Sequence, residues 1–330
     1  IGKNFYEVMF NAENIPALGY KTYFIQKRNP KVDLELPPEG LLDGNDYYLE
    51  NDVLRIIVED NGTFSIMHRV EPEEEERREK IVAMGEELPA GSIWAEDKFF
   101  TFKNLHLFED MSEIGDGWES IQIDGDKSIT TPGKLISTKL IEASDFRGVL
   151  EVKKTLSVPK RVVDDETKRA AEEVEIPVTT RITIQKGEDP VIKFKTTIKN
   201  LAKDHKLRVL FPTQLQSNEV SVNGHFGVFN RSLKEIDGEG WVRPPQTTFP
   251  FHKWFGIWDE KQAQGLAVFS RGLPEYEAYY GENKQKVGLA LTLFRSTRRW
   301  GSHINVSNPP VFTPRAQLYG KEMTFEYAIV

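Results

Sequence analysis

The sequence lacks cysteine altogether. This absence excludes disulfide bonds, thiolate nucleophiles and cysteine-bound metal sites. It is typical of proteins kept in a reducing compartment, so we expect a cytoplasmic location. The chain also has no apolar run near the roughly 20 residues that a membrane-spanning helix needs, and its N-terminus has neither the basic nor the apolar region of a signal peptide. We therefore expect no membrane association.

Basic residues are fewer than acidic ones, 43 Lys and Arg against 51 Asp and Glu, and the net charge is −8. An acidic surface repels phosphate groups, so we expect no nucleic-acid partner. The 330 residues, of which 39% are hydrophobic, are enough for one large β domain or two smaller ones. A domain of this size buries enough apolar surface to fold without a metal or a disulfide. Because the first residue is Ile1 and not Met, we expect the chain to be part of a longer polypeptide.

Patterns that favour a helix are scarce. Residues 72–80 begin with Pro72 and continue with acidic residues, which suits the start of a helix. Residues 164–175 are the second candidate. Neither segment has an apolar stripe wide enough to anchor it, so both are predicted to be surface excursions from a sheet.

Strand patterns run through most of the chain. Apolar and polar residues alternate in 176–185 and 191–199, which indicates half-buried antiparallel strands with a turn at 187–190. A tight turn at 60–62 separates another pair. Further predicted strands cover 53–59, 63–67, 134–141, 148–158, 207–211, 266–269 and 289–294. Many strands, little helix and no internal repeat predict an all-β sandwich, mostly antiparallel and larger than one immunoglobulin-type domain.

Proline and glycine divide the chain into three parts. Residues 1–30 hold short extended pieces that Pro16 and Gly19 interrupt. Residues 31–48 contain several prolines and glycines and are predicted to be a linker. Residues 49–330 are predicted to form the β-sandwich domain.

The histidines do not form a metal-binding pattern. They are His68, His106, His205, His225, His252 and His303. None has a second histidine at the short spacing of a zinc-binding pair. The dipeptide of Asp204 and His205 comes nearest, but an ordinary loop or strand-end pair is the favoured interpretation, because a metal needs several ligands. We expect no metal site in this chain.

Carboxylates are so frequent that a pair alone means little. Glycoside hydrolysis usually takes two carboxylates about 5–10 Å apart. The most suggestive segment runs from Glu109 and Asp110 to Asp116 and Glu119. One interpretation is an acidic loop that faces a sugar. The other, which composition favours, is a turn whose Asp side chains cap backbone amides.

Two further segments carry candidate ligand contacts. Aromatic residues cluster between 249 and 258, and an exposed ring suits sugar binding because a pyranose has an apolar face. Core packing is favoured for Phe255 and Trp258, whereas Trp254 and His252 are expected to be more open. Arg295 ends the apolar run 289–294, so it is directed at a carboxylate, at a ligand hydroxyl or at solvent. Basic and aromatic residues follow it at 298–300.

Seven segments, taken in order, resemble the C-terminal β region of the α-mannosidases of glycoside hydrolase family 38. They are IPALGYKTY at 15–23, LENDVL at 49–54 with NGT at 61–63, FED at 108–110 with GDG at 115–117, HKLRVLFPT at 205–213, GLAVF at 265–269 with GLPEYE at 272–277, LALTLFRS at 289–296 and FEYAI at 325–329. Each is weak alone, but together they span nearly the whole chain. The pattern is most similar to that of the bacterial members.

The resemblance implies a large two-sheet supersandwich of the galactose mutarotase type, with few short helices. It implies that the whole enzyme is a retaining exo-α-mannosidase whose zinc ion, nucleophile and acid/base lie in an upstream α/β domain. Residues 1–30 would lie at the junction with that domain. This chain would then hold no catalytic residue and no cofactor, and its partners would be the catalytic domain and α-mannoside glycans. Arg295, and with less support Tyr23, would contact the sugar.

Three functional hypotheses follow. The first is a non-catalytic domain that buttresses the catalytic domain and walls the sugar pocket. The second is a free-standing enzyme of the mutarotase type, in which His205 or His225 and Glu275 act as general acid and base. The third is a carbohydrate-binding module that uses Trp254. Each is compatible with a homo-oligomer.

Overall fold

The computed structural model describes residues 12, 15–17, 19–24, 42–69, 99–234, 236–241, 245–281, 286–301 and 311–330. The predicted helix at 72–80 and most of the predicted segment 1–30 lie outside these residues. So do residues 31–41 of the predicted linker, whose remaining part contains the strand Leu42–Gly44. The division of the chain into domains stays a prediction.

One layer of the structure is a nine-stranded antiparallel sheet. In spatial order its strands are β14 (Val228–Ser232), β13 (Glu219–Asn223), β16 (Trp254–Asp259), β17 (Gln264–Ser270), β22 (Glu322–Ile329), β11 (Ile192–Lys199), β10 (Glu173–Gln185), β9 (Arg147–Pro159) and β8 (Lys134–Ala143). The alternation seen in the sequence sets its register, because Val178 pairs with Ile198 and Ile182 with Phe194 on the buried face.

The second layer consists of two sheets. The six-stranded sheet has the order β15 (Phe249–Pro250), β18 (Glu275–Tyr280), β19 (Val287–Ser296), β12 (His205–Pro212), β6 (Leu107–Ser112) and β7 (Ile129–Thr131). The five-stranded sheet has the order β1 (Leu42–Gly44), β2 (Tyr48–Asn51), β3 (Leu54–Val58), β4 (Phe64–Arg69) and β5 (Phe99–Leu105). A short pair, β20 (Arg299–Trp300) and β21 (Val311–Phe312), and the 3-10 helix Pro314–Gln317 complete the elements described.

Aromatic contacts join the two layers. Tyr276 of β18 stacks on Phe255 of β16, with ring centroids 4.6 Å apart. Phe64 of β4 stacks in parallel with Phe194 of β11, at 6.0 Å. The buried apolar residues of all three sheets form one cluster. These contacts confirm the predicted all-β, two-layered and mostly antiparallel fold.

The prediction of a helix at 164–175 is wrong. An isolated bridge joins Val162 to Arg169, and β10 already begins at Glu173. Asp165 accepts a hydrogen bond from the backbone N–H of Thr167, which is a local turn that competes with a helix. The excursion is held by Arg169, whose guanidinium contacts the buried carboxylate of Asp110 at 2.7 Å. Among the described residues, no helix has the length and apolar character needed to cross a bilayer.

The core contains a lysine, Lys154, for which the described part of the chain supplies no matching anion. Lys154 of β9 is buried between the layers, and its Nζ has no hydrogen-bonding partner among the described residues. The Nζ atom lies 4.6 Å from the ring centroid of Phe64, so a cation–π contact offsets part of the desolvation cost. Burial lowers the pKa of Lys154 to about 7.

This burial makes the stability of the fold depend on pH. The unfolded chain holds the Lys154 proton up to the ordinary pKa of 10.5, whereas the folded chain releases it near 7. The free energy of unfolding should therefore rise with pH between these values. Lys154→Met should stabilise the protein at pH 7 or below by roughly 2–4 kcal/mol, and the gain should shrink toward pH 10.

Urea unfolding at pH 6, 7, 8 and 9 measures this effect. Lys153→Met is the matched control, because Lys153 is the neighbouring residue on the opposite, exposed face of β9. A gain from Lys154→Met that does not change with pH would contradict the assignment.

Candidate functional site

The outward face of the six-stranded sheet carries interlocked charges. Lys206 of β12 contacts Glu275 of β18, with Nζ 2.6 Å from the carboxylate oxygen. Arg208, two residues further along β12, is bound by both Glu109 of β6 and Glu277 of β18. The cations of Lys206 and Arg208 are buried, so each needs the carboxylates that the neighbouring strands supply. The result is a rigid, polar sheet face.

The carboxylate of Glu275 is held in its ionised form. Burial would raise its pKa, but Lys206 and the hydrogen bonds from Lys206 and Thr292 outweigh burial and lower the pKa of Glu275. A general acid needs a raised pKa. Glu275 is therefore built as a fixed anion within the sheet face.

A cavity of about 680 Å³ adjoins one side of this charged face. Its wall includes Glu109, Arg208 and Tyr279 of the sheet, together with Asn61 from the turn between β3 and β4. Burial, and next the nearby carboxylate of Glu109, raises the pKa of Tyr279. The phenol is therefore neutral near pH 7 and presents a hydroxyl donor beside two charged side chains.

A β-bulge directs Arg295 to the outward face. Leu207 pairs with Phe294 and Arg208 with Thr292, so Leu293 is the extra residue that shifts the register of β19. Thr292 contacts Glu275 on the outward face, and three residues later Arg295 points outward as well. An unbulged strand would have directed Arg295 into the core.

Arg295 clamps the acidic loop 113–120. Its Nε donates to the buried carboxylate of Glu113 at 2.8 Å, and its Nη2 donates to the carbonyl oxygens of Asp116 and Glu119 at 2.8 and 2.9 Å. Of the alternatives given by the sequence, a carboxylate partner is therefore the one observed for Arg295.

The loop is also held from within. The carboxylate of Glu113 accepts from the N–H of Gly115 and from the hydroxyl of Ser120. Asp116 accepts from the N–H groups of Trp118 and Glu119 at 2.8 and 2.9 Å. This is the capped turn that composition favoured for the segment. The loop is thus preorganised before any ligand arrives.

The clamped loop presents an exposed pair of indoles. Trp118 is 66% exposed and Trp300 is 52% exposed, and their ring centroids are 4.3 Å apart. Gly117 makes this contact possible, since a Cβ there would lie 2.4 Å from the Trp300 ring. The sequence marked the corner at 298–300 as basic and aromatic, but it gave no signal that Trp118 would meet Trp300 across 182 positions of chain.

The sequence-predicted contacts Trp254 and Tyr23 lie elsewhere. Trp254 of β16 packs against Phe269 of β17 on the outward face of the nine-stranded sheet, which is the opposite side of the sandwich from Arg295. Tyr23 lies outside the strands, where the Nζ of Lys21 is 5.4 Å from its ring centroid. Their role in sugar binding stays a prediction.

Two expectations for the aromatic cluster have different outcomes. Phe255 is fully buried, as predicted. The prediction that Trp258 packs in the core is wrong, because Trp258 lies on the outward face of β16 and is 56% exposed. The strand places Phe255 and Ile257 inward, so the alternation forces Trp258 outward.

The predicted acid–base pairs are not assembled. His205 lies inside the sandwich, with Nδ1 2.6 Å from Asp110 and Nε2 3.0 Å from the side-chain oxygen of Asn200. Its neighbour Lys206 binds Glu275 on the other side of the sheet, so His205 and Glu275 are on opposite faces. His225 instead lies beside His252, with ring centroids 5.2 Å apart.

Within the ranges that the structure describes, no group of three or more His, Asp or Glu side chains is placed to hold a metal ion. Asp204 and His205 have different partners. Asp204 forms an ion pair with Arg298, whereas His205 contacts the carboxylate of Asp110. The described residues therefore offer no ligand set for a zinc ion, which the family resemblance places in the upstream domain.

The fold and this site define a two-layered β-sandwich module that carries a clamped loop and an exposed indole pair. Residues 49–299 match the family model described as "Glycosyl hydrolases family 38 C-terminal domain", and the chain belongs to this family. A relative from Halalkalibacterium halodurans, named "Putative mannosylglycerate hydrolase", is 24% identical over 329 residues, which cover 96% of this chain and 32% of the relative.

Two crystal structures from Enterococcus faecalis share the fold. One is described as an alpha-mannosidase of strain V583 and has a TM-score of 0.68. The other is described as a protein of glycosyl hydrolase family 38 and has a TM-score of 0.65. Each is 24% identical and is matched by 88% of this chain. The chain spans about a third of the length of these relatives, between 30% and 32%.

The clamp between Arg295 and Glu113 should contribute strongly to stability. Arg295→Met leaves the buried Glu113 carboxylate without its cation, so we expect a loss of about 3 kcal/mol in the free energy of unfolding. Adding Glu113→Gln to that variant should recover part of the loss. Guanidinium unfolding of the two single variants and the double variant measures the coupling.

Arg271→Met is the control for this cycle, because Arg271 forms a comparable ion pair with Glu326 at 3.0 Å but is 85% exposed. We expect little change there. Equal effects of Arg295→Met and Arg271→Met would show that the clamp is not specially stabilising.

Proposed function

We propose that this chain is the non-catalytic C-terminal β domain of a retaining exo-α-mannosidase, which supports the catalytic domain and walls one side of its sugar pocket. The family match over residues 49–299 carries this proposal. The acidic loop that Arg295 clamps, together with Trp118 and Trp300, would supply the surface that faces the sugar. The relatives are about three times longer than the chain, which leaves room for a catalytic domain in the same polypeptide.

The residues of this chain act by positioning. Arg295 fixes the loop, so Trp118 and Trp300 meet the apolar face of a pyranose without losing conformational freedom on binding. The charged outward face of the six-stranded sheet is internally paired, and therefore offers a stiff support. The zinc ion of the catalytic domain would hold the terminal mannose by its hydroxyls when bound.

The substrate class is a terminal α-mannoside. The relative from Halalkalibacterium halodurans bears a name that specifies mannosylglycerate, and the Enterococcus faecalis structure is described as an alpha-mannosidase. Both names specify a mannosyl group. The leaving group could be part of a glycan or glycerate. Hydrolysis rates of the complete enzyme on an α-mannosyl glycan and on mannosylglycerate distinguish these two possibilities. The cytoplasmic location and a homo-oligomeric state stay predictions.

The chain alone should not hydrolyse mannosides. We expect the purified 330-residue chain to fold and to release no nitrophenol from p-nitrophenyl α-mannoside, with or without added zinc. The physical reason is that no metal-ligand cluster lies among the described residues. The complete protein is the positive control. Zinc-dependent turnover by the chain alone would overturn the assignment.

The indole pair should matter for the complete enzyme. Trp118→Ala removes a stacking surface, so we expect KM for an α-mannoside to rise roughly tenfold while kcat changes less. Trp254→Ala is the comparison, since Trp254 lies on the other outward face of the sandwich. A larger rise in KM for Trp254→Ala than for Trp118→Ala would contradict a sugar contact at the clamped loop.

A further inference from the structure

A second polar cavity, of about 640 Å³, shares no lining residue with the cavity beside Arg208. Its lining includes the polar side chains of Gln216, Asn218 and Glu219, together with Trp258, Glu260 and Tyr280. Tyr280 pairs with Val287 at the start of β19, whereas Arg295 lies near the end of the same strand. Eight residues of strand place the cavity about 25 Å from the Arg295 loop.

Two aromatic rings are available in this cavity. Trp258 is 56% exposed and Tyr280 is 36% exposed. The Trp258 indole lies against Gly265 of the neighbouring strand, where a Cβ would come within 2.8 Å of the ring. One face of the indole is therefore fixed by backbone, and the rest of the ring is open. A rigid, exposed indole binds an apolar sugar face at small entropic cost.

The polar groups of the cavity are held in place by a buried carboxylate. Asp259 accepts from the N–H of Gln216 at 2.8 Å and from the side-chain amide of Gln262 at 2.7 Å. Its other oxygen accepts from the N–H of Lys261 at 3.0 Å. Asp259 thus ties the segment that carries Gln216 to the turn that follows Trp258.

Glu219 is also oriented by a neighbour. The side-chain amide of Asn230 donates to the Glu219 carboxylate at 2.5 Å, and the Asn230 oxygen accepts from the hydroxyl of Ser221. One carboxylate oxygen is thereby fixed by a neutral donor. A carboxylate held in this way is suited to accept hydrogen bonds from sugar hydroxyls.

The charge of the cavity selects among ligands. Its lining includes the carboxylates of Glu219, Asp259 and Glu260 and one cation, Lys261. An anionic ligand would be repelled by this lining, whereas a neutral polyhydroxylated ligand would not. Phosphorylated and uronic sugars are therefore disfavoured.

We propose that this cavity is a non-catalytic binding site for a neutral oligosaccharide, separate from the Arg295 loop. Trp258 stacks on a pyranose ring, and Glu219, Gln216 and Asn218 bind its hydroxyls. The site is independent of the proposed mannosidase role, because it requires no catalytic domain. In an enzyme with the proposed mannosidase role, which this one use of the site presupposes, it would retain a glycan chain while another part of the same glycan is processed.

Saturation-transfer NMR and calorimetry with α-mannobiose, using the complete 330-residue chain, test this proposal. Wild type should bind the neutral disaccharide, and Trp258→Ala should weaken binding roughly tenfold. Trp241→Ala is the control, since Trp241 is a comparably exposed indole, at 59%, outside the lining of this cavity, and its removal should leave binding unchanged. A disaccharide with a glucuronate residue should bind wild type more weakly than α-mannobiose does. Glu219→Gln removes one carboxylate from the lining, so it should reduce the difference in affinity between the two disaccharides.

The outcomes separate clearly once thermal melting has shown that each variant folds. If Trp258→Ala does not fold, Tyr280→Ala and Glu219→Gln carry the test, and loss of binding in either supports the site. Absence of binding by wild type to α-mannobiose, or unchanged binding by the folded Trp258→Ala variant, overturns it. A loss in Trp118→Ala but not in Trp258→Ala would assign the sugar to the Arg295 loop, and would overturn this proposal while leaving the mannosidase role intact.

Discussion

The whole molecule depends on covering the inner face of the nine-stranded sheet. That face is too large for one partner sheet, so the six-stranded and the five-stranded sheets share it, and their apolar residues merge into one cluster. Contacts such as Tyr276 on Phe255 and Phe64 on Phe194 fix how the layers meet. Since the interior is filled with side chains, sites for ligands are left to the outward faces, the loops and the ends of the sheets.

The outward face of the six-stranded sheet is unusual because its charges are buried. Lys206 and Arg208 are nearly inaccessible, and each is neutralised by carboxylates from neighbouring strands. Replacing such pairs with apolar residues often leaves stability unchanged or higher, so stability alone is a weak explanation for them. Stiffness and exact placement of the acidic loop offer a better one, since Arg295 extends the same charge array into that loop.

The sequence was sufficient for most of the fold and for a small part of the site. The period of two predicted β10 and β11 nearly to their ends, because half-buried strands must alternate. It failed for 164–175, where charged residues suggested a helix although no apolar stripe was present to hold one. Trp258 was assigned to the core by residue type, yet the phase of β16, set by Phe255, puts it in solvent.

The site was harder to predict because its parts are distant in sequence. Arg295 stood out as a charge after an apolar run, but its partners Glu113 and Asp116 could not be identified without the pairing of β12 with both β6 and β19. The meeting of Trp118 with Trp300 has no local signal at all. Spacing along the chain reports on neighbours within a strand or a turn, and these contacts cross several strands.

The extra residue at Leu293 has a consequence for relatives of this chain. Even-numbered positions of β19 face outward before the bulge and odd-numbered positions face outward after it. Thr292 and Arg295 therefore share a face although an odd number of positions separates them. A relative that has lost this one residue would keep its threonine and its arginine on the outward face by plain alternation, whereas a relative that keeps the residue but pairs without the bulge would turn its arginine toward the interior. The number of residues in a homologous strand therefore does not by itself mark the family members that can retain a clamped loop, because the pairing of that strand decides which way the arginine points.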